Sequence, residues 1–259
     1  MSSDTFCSSK SEIVDQALAR MQVQLEATAT PVRDAVVDAC HVLYAFGHDS
    51  GLAGQITARG ERPGTYWTQP MNLGFDDIRA DNLLLVDEDL NVLEGRGMPN
   101  PANRFHSWLY RARPDVHCIV HSHATHTAAL SMLETPLEIS HMDTCVLYGQ
   151  TAFLPRWPGI PVGNEEGELI STALGDKKAI LLAHHGLLVA GASVEEACVL
   201  GVMFEQAAKL QLLAGAAGSI QPIPAALGTE AQKWLMTPRR AQVDFAYYVR
   251  RARRRMTTM

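Results

Sequence analysis

The stretch Cys118-Ile119-Val120-His121-Ser122-His123 decides how this chain folds and where its chemistry sits. An apolar run that ends in His-x-His is the pattern of a buried strand with two histidines at its tip. In extended backbone, residues i and i+2 project from the same side of a sheet, so both imidazoles share one face. A second apolar run, Ala179-Ile180-Leu181-Leu182-Ala183, ends in His184 and His185 and is followed at once by Gly186. If two such strands are neighbours in one sheet, three imidazole nitrogens converge on one divalent metal and leave a coordination position open. The pattern points to a metal-dependent enzyme.

Working outward toward the N-terminus, Pro114-Asp115 turns the chain into the histidine strand, and Pro101 to Arg111 reads as a helix with Phe105, Trp108 and Leu109 on one side. Short apolar or alternating runs at Gln55–Arg59, Thr65–Thr68, Leu83–Val86 and Asn91–Leu93 read as strands, with Asp87-Glu88-Asp89 as a hairpin turn. Two helices come first: Ser11 to Ala27, and a second with Thr30 as cap, Pro31 at the first helical position and Gly47 as its stop. Residues 1–10 are polar and are expected to be a disordered tail.

Beyond the histidine strand, Ala124 to Met132 reads as a helix and Leu137 to Leu147 as one or two short buried strands. The breaker-rich segment 155–163 reads as a loop, and Glu165 to Leu174 as a short helix. Ser193-Val194-Glu195-Glu196 is a capping box opening a long helix through Leu213, and Thr229 to Arg255 is helical with a break near Pro238. Helices flanking a strand-rich centre give an α/β layered fold, and residues 11–255 are expected to form a single domain.

Composition narrows the function. At 259 residues, with 47% apolar and 19% charged residues, the chain has the make-up of a soluble globular protein. A net charge of −6 argues against a nucleic-acid partner, although Arg250-Arg251-Ala252-Arg253-Arg254-Arg255 is a basic run, read as a solvated helix end. No membrane span or signal peptide is expected, since no apolar stretch was read as approaching the roughly 20 residues a span requires. Cytoplasmic localisation is the expectation. The five cysteines are scattered without a CxxC pair, which fits reduced thiols.

Six segments together resemble the class II aldolase/adducin family over roughly Val36 to Leu213: Gly54-Gln55-Ile56-Thr57-Ala58-Arg59, Asp81 to Asp87, Arg104-Phe105-His106, Arg113-Pro114-Asp115-Val116, His121-Ser122-His123 and His185-Gly186-Leu187. The resemblance implies a three-layer α/β/α domain with a central, mostly antiparallel sheet. It also implies a homo-oligomer, often a fourfold tetramer, and a zinc-like ion on His121, His123 and His185, with manganese or iron as alternatives. Of the adjacent pair, the histidine before glycine matches the family ligand. His117 shares the strand face of the ligands and is a candidate for supporting them.

The departures from the family pattern shape the expected chemistry. The family's aldolases carry a glutamate four residues ahead of the histidine matching His106, and here that position is Ala102. Their phosphate-loop asparagine is Gln55, and their paired phosphate-binding serines are Asn100-Pro101. Gln55, Asn100 and Arg59 are therefore the substrate-binding candidates, and Arg104, His106 and Asp143 the catalytic ones. The expectation is a metal-dependent carbon–carbon lyase, aldolase or decarboxylase, acting on a small oxo or hydroxy acid or aldehyde. An Fe(II) oxygenase on the same three histidines, or an adducin-like binding protein without catalysis, are the alternatives.

Overall fold

The computed structural model describes residues 7–26 and 30–257. Its strands are β1 (Gln55–Arg59), β2 (Thr65–Thr68), β3 (Leu84–Asp87), β4 (Val92–Glu94), β5 (Cys118–Ser122), β6 (Thr151–Leu154), β7 (Ala179–Leu182) and β8 (Gly186–Gly191). They form one sheet in the order β4-β3-β2-β1-β5-β8-β7-β6. Every neighbouring pair is antiparallel except β6 with β7.

Eight α-helices surround the sheet: α1 (Lys10–Gln24), α2 (Val32–Ala45), α3 (Arg104–Ala112), α4 (Thr125–Ser131), α5 (Asn164–Leu174), α6 (Val194–Ala217), α7 (Ala225–Leu235) and α8 (Pro238–Met256). Strand alternation divides the core in two. Ile56, Ala58, Cys118, Val120, Leu187 and Val189 share one cluster with Val36 of α2, Phe204 of α6 and Phe245 of α8. Tyr66, Leu84, Ile119, Ile180 and Leu188 share the other with Phe105 and Leu109 of α3 and Ile170 and Leu174 of α5. Each fully buried aliphatic side chain stabilises the fold by about 2 kcal/mol. The expected α/β/α layering and mostly antiparallel sheet are both present. The alternation also points His121 toward α3 and Ser122 toward α6.

Several elements differ from the sequence reading. The two histidine-bearing strands are not neighbours: β8 lies between β5 and β7, and His185 sits in the tight turn joining β7 to β8. Leu137 to Leu147 forms no strand. It ends in a 3-10 helix, Met142–Leu147, whose apolar side chains pack on α6 and α7 instead of pairing with the sheet. Thr30 does not cap α2, where Pro31 holds the cap position without any side-chain bond. Ser193 caps α6, but Glu196 reaches Lys178 and the Ala192 N–H instead of closing a reciprocal box.

Of the tail expected to be disordered, residues 1–6 lie outside the described residues, while Ser9 caps α1 in a reciprocal box with Glu12. Helix α6 is long and apolar enough to cross a membrane by length and composition alone, contrary to the sequence reading. Here it packs on β5, β8, α2 and α8. The C-terminal arginines are not merely solvated: Arg253 pairs with Asp38 of α2 at 2.9 Å and Arg251 lies over the Phe46 ring.

Candidate metal centre

β5 and the β7–β8 turn bring three imidazoles together. One ring nitrogen from each of His121, His123 and His185 lies within 4.8 Å of the other two. The Nε2 atoms of His121 and His123 are 3.0 Å apart, and both rings stand 4.7 Å, centroid to centroid, from His185. His121 Nδ1 is 2.7 Å from the Leu187 carbonyl oxygen. A carbonyl can only accept, so Nδ1 carries the proton and Nε2 presents its lone pair to the cluster.

Electrostatics keep these rings neutral. Burial, reinforced by the neighbouring imidazoles, holds His121 well below the ordinary histidine range. Burial and then His123 push His185 down to about 4, and burial lowers His123 as well. Three neutral imidazoles sharing one small space are a donor set in search of a cation.

Local backbone chemistry explains why His185 joins and His184 does not. His184 takes a positive φ of 54° in the turn. Its N–H donates to the Ser131 carbonyl, and its exposed ring pairs with Glu134 at 2.9 Å. Gly186 opens β8 against the end of β5, where a Cβ would run into the Ser122 carbonyl oxygen and come within 2.9 Å of His123 Cδ2. Only glycine fits there.

The remaining candidates divide by position. Gln55 is the register partner of His121 on the adjacent strand, and its buried Oε1 has no hydrogen-bond partner. Phe105 stands edge-on to His121 with centroids 5.3 Å apart, and His106 is fully buried beside it. Asn100 caps the 3-10 turn Pro101–Asn103 by accepting from the Ala102 N–H at 3.0 Å. Ala102 is partly buried against the α3 side of the core. Arg104 is half-exposed and pairs with Asp89 at 3.2 Å.

Three candidates are placed elsewhere. Because β1 runs antiparallel to β5, Arg59 lies at the opposite end of the pair from His121. Its guanidinium donates to the Val116 and Tyr110 carbonyls and stacks on the Tyr110 ring. His117, exposed, shares that far end, about 13 Å along the strand from His121. Asp143 is exposed and lines a cleft of about 850 Å³ with His126, Glu205 and Tyr248, to which none of the three clustered histidines contributes. The roles of the Leu187 carbonyl and the Phe105 ring were not read from sequence. Phe105 was visible as part of Arg104-Phe105-His106, but its orientation depends on how α3 docks.

Residues 34–212 match the family described as Class II Aldolase and Adducin N-terminal domain. The chain is 34% identical over 178 residues to 4-hydroxy-3-prenylphenylpyruvate oxygenase/4-hydroxy-3-prenylbenzoate synthase of Streptomyces roseochromogenus subsp. oscitans, covering 68% of this chain and 64% of that one. It is equally identical to Decarboxylase NovR of Streptomyces niveus, covering 68% and 66%. The matched stretch thus spans slightly less than two thirds of each of these relatives. Among solved structures, L-fuculose 1-phosphate aldolase from Glaciozyma antarctica PI12 superposes with a TM-score of 0.80 at 30% identity, covering 93% of this chain and 98% of that one.

Proposed function

The chain belongs to the class II aldolase and adducin family, and from that premise we propose that it is a metal-dependent carbon–carbon lyase of the decarboxylase type, acting on a small oxo or hydroxy acid. The observation that carries the proposal is the composition of the histidine cluster: among the described residues, no carboxylate joins His121, His123 and His185. The three buried, neutral imidazoles fit a divalent ion, with zinc the expected one and manganese or iron the alternatives. Such an ion, when bound, acts as a Lewis acid toward a substrate oxygen that gains negative charge as the bond alpha to a carbonyl breaks.

This chain's own residues fit one branch of that chemistry better than the other. Aldol cleavage requires a positioned base, and position 102, where the family's aldolases carry theirs, is an alanine. Decarboxylation needs no proton abstracted from carbon; its electron pair comes from the departing carboxylate. His121 is fixed by its bond to Leu187 and by the Phe105 edge. The buried α3 face behind it excludes water from one side of the site. Gln55, opposite His121, is the nearest polar side chain on β1 to meet a substrate. The family's tetramer is the expected assembly and cytoplasm the expected location; light scattering checks the former.

Oxygenation is the second reading, favoured by the name of the Streptomyces roseochromogenus relative. One experiment separates them. Protein stripped of metal is reloaded anaerobically with Zn²⁺ or Fe²⁺ and offered a panel of 3-oxo and 2-oxo acids, while carbon dioxide release and oxygen uptake are followed. Carbon dioxide release by the zinc form without oxygen uptake is expected. Turnover only with iron, with oxygen consumed in proportion to product, would overturn the lyase reading.

A further inference from the structure

Three buried acceptors without donors stand on the α3 face beside His121. Asn103 and His106 lie three residues apart, one helical turn above each other, over Thr68 and Thr57, which are register partners on β2 and β1. Thr68 Oγ1 donates its one proton to the Ile56 carbonyl at 2.8 Å, so toward Asn103 Nδ2, at 3.1 Å, it accepts. The Asn103 amide is thereby oriented, and its Oδ1 is left buried and unpartnered.

The same accounting fixes the imidazole. The Tyr110 hydroxyl donates to the Thr57 carbonyl at 2.9 Å, so it accepts from Thr57 Oγ1 at 3.0 Å. Thr57 Oγ1 in turn accepts from His106 Nδ1 at 2.8 Å. His106 Nε2 therefore presents a lone pair, again buried and unpartnered. The third acceptor, Gln55 Oε1, lies two residues before Thr57 on the same face of β1 and directly opposite His121. Gln55 is 4% exposed, Asn103 1% and His106 0%. Buried polar groups in folded proteins nearly always find partners, so three unmet acceptors around one recess require a donor from outside the chain.

We propose that Gln55, Asn103 and His106 form a recess that receives an O–H donor of the substrate, so that hydroxyl-bearing oxo acids are selected over their deoxy analogues. This rests on the functional reading above, because the histidine cluster beside the recess is what would hold the substrate there. A resident water is the other source of the same O–H chemistry. Sites that hydrogen-bond a substrate hydroxyl reject analogues lacking it, because their acceptors are then left buried and unmet.

The test uses zinc-loaded full-length protein with 3-hydroxypyruvate and pyruvate as probes, both read by calorimetry. 3-Hydroxypyruvate is expected to bind about tenfold tighter than pyruvate, and the ratio should fall toward one in Asn103→Ser and His106→Phe while pyruvate affinity stays within about twofold. His106→Gln, which retains an acceptor, should restore part of the preference. Equal affinities in the unmodified protein would overturn the inference and leave the recess a water site, whether or not the variants fold. Failure of the unmodified protein to hold zinc or to bind pyruvate would instead overturn the functional reading itself, and this inference with it.

Discussion

At Gly186 the missing side chain is what lets β8 begin against the end of β5, with the Ser122 carbonyl and the His123 ring already occupying the space a Cβ would need. Gly186→Ala should destabilise the fold by about 1–3 kcal/mol through overpacking. By displacing His123 it should also weaken metal binding at least tenfold, a loss typical of disturbed ligand support, as read by chelator competition. Acid sensitivity belongs to this scale too. Burial pushes His48 down to about 4, against an opposing pull from the Glu205 charge, and burial alone pushes His106 down to about 3. Unfolded, each titrates near 6.5. Between those values the unfolded chain binds protons that the folded chain refuses, so stability is full above about pH 6.5 and falls as pH drops toward 4. His48 alone contributes about 3 kcal/mol of that loss. Melting temperature measured across this window should fall, and His48→Gln should flatten the curve. Of the site, the three clustered histidines were legible because strand alternation and a glycine stop are written in the sequence. Arg59, His117 and Asp143 were misplaced because their neighbours depend on strand direction and helix docking, which residue type does not reveal.

Among the elements, α4 shows how the ligand strand is anchored. It starts two residues after His123, and its cap residue Ala124 offers no side-chain bond. Glu205 of α6 takes that role from a distance: its carboxylate accepts from the His126 and Thr127 N–H groups, the Thr127 hydroxyl and His126 Nδ1, all within 2.9 Å. Behind β5, the Ser122 hydroxyl is held by His48 at 2.7 Å. Glu205→Ala should therefore cost about 2–4 kcal/mol in chemical denaturation, since several buried donors lose their acceptor together. It should also lower zinc affinity, because the chain leaving His123 is no longer fixed. Most elements were readable in advance: β1 and β2 coincide with their apolar runs, and α5 with its periodicity. β8 was not read because only three residues separate it from β7, and the histidines there look like a strand end and not a hairpin turn. Leu137 to Leu147 was misread because an apolar run signals burial without saying what covers it.

Across the whole molecule, the sheet gathers its chemistry at one end. Antiparallel pairing of β5 with both β1 and β8 sets His121 beside Gln55 on one side and beside Leu188 on the other, while the far end holds Arg59 in a structural role. The family match ends at residue 212, yet α8 returns from beyond it to pack on α2 and α6, burying Phe245 and Val249 and pairing Arg253 with Asp38. The basic C-terminal run thus has a fold-level use that charge counting alone did not reveal. Everything proposed for this chain depends on the three histidines holding one divalent ion. Elemental analysis of protein purified without added metal, beside His121→Ala, addresses that directly. About one zinc or manganese per chain, lost in the variant, is the expected result. No metal bound by the unmodified protein, even after loading with zinc, manganese or iron, would contradict it.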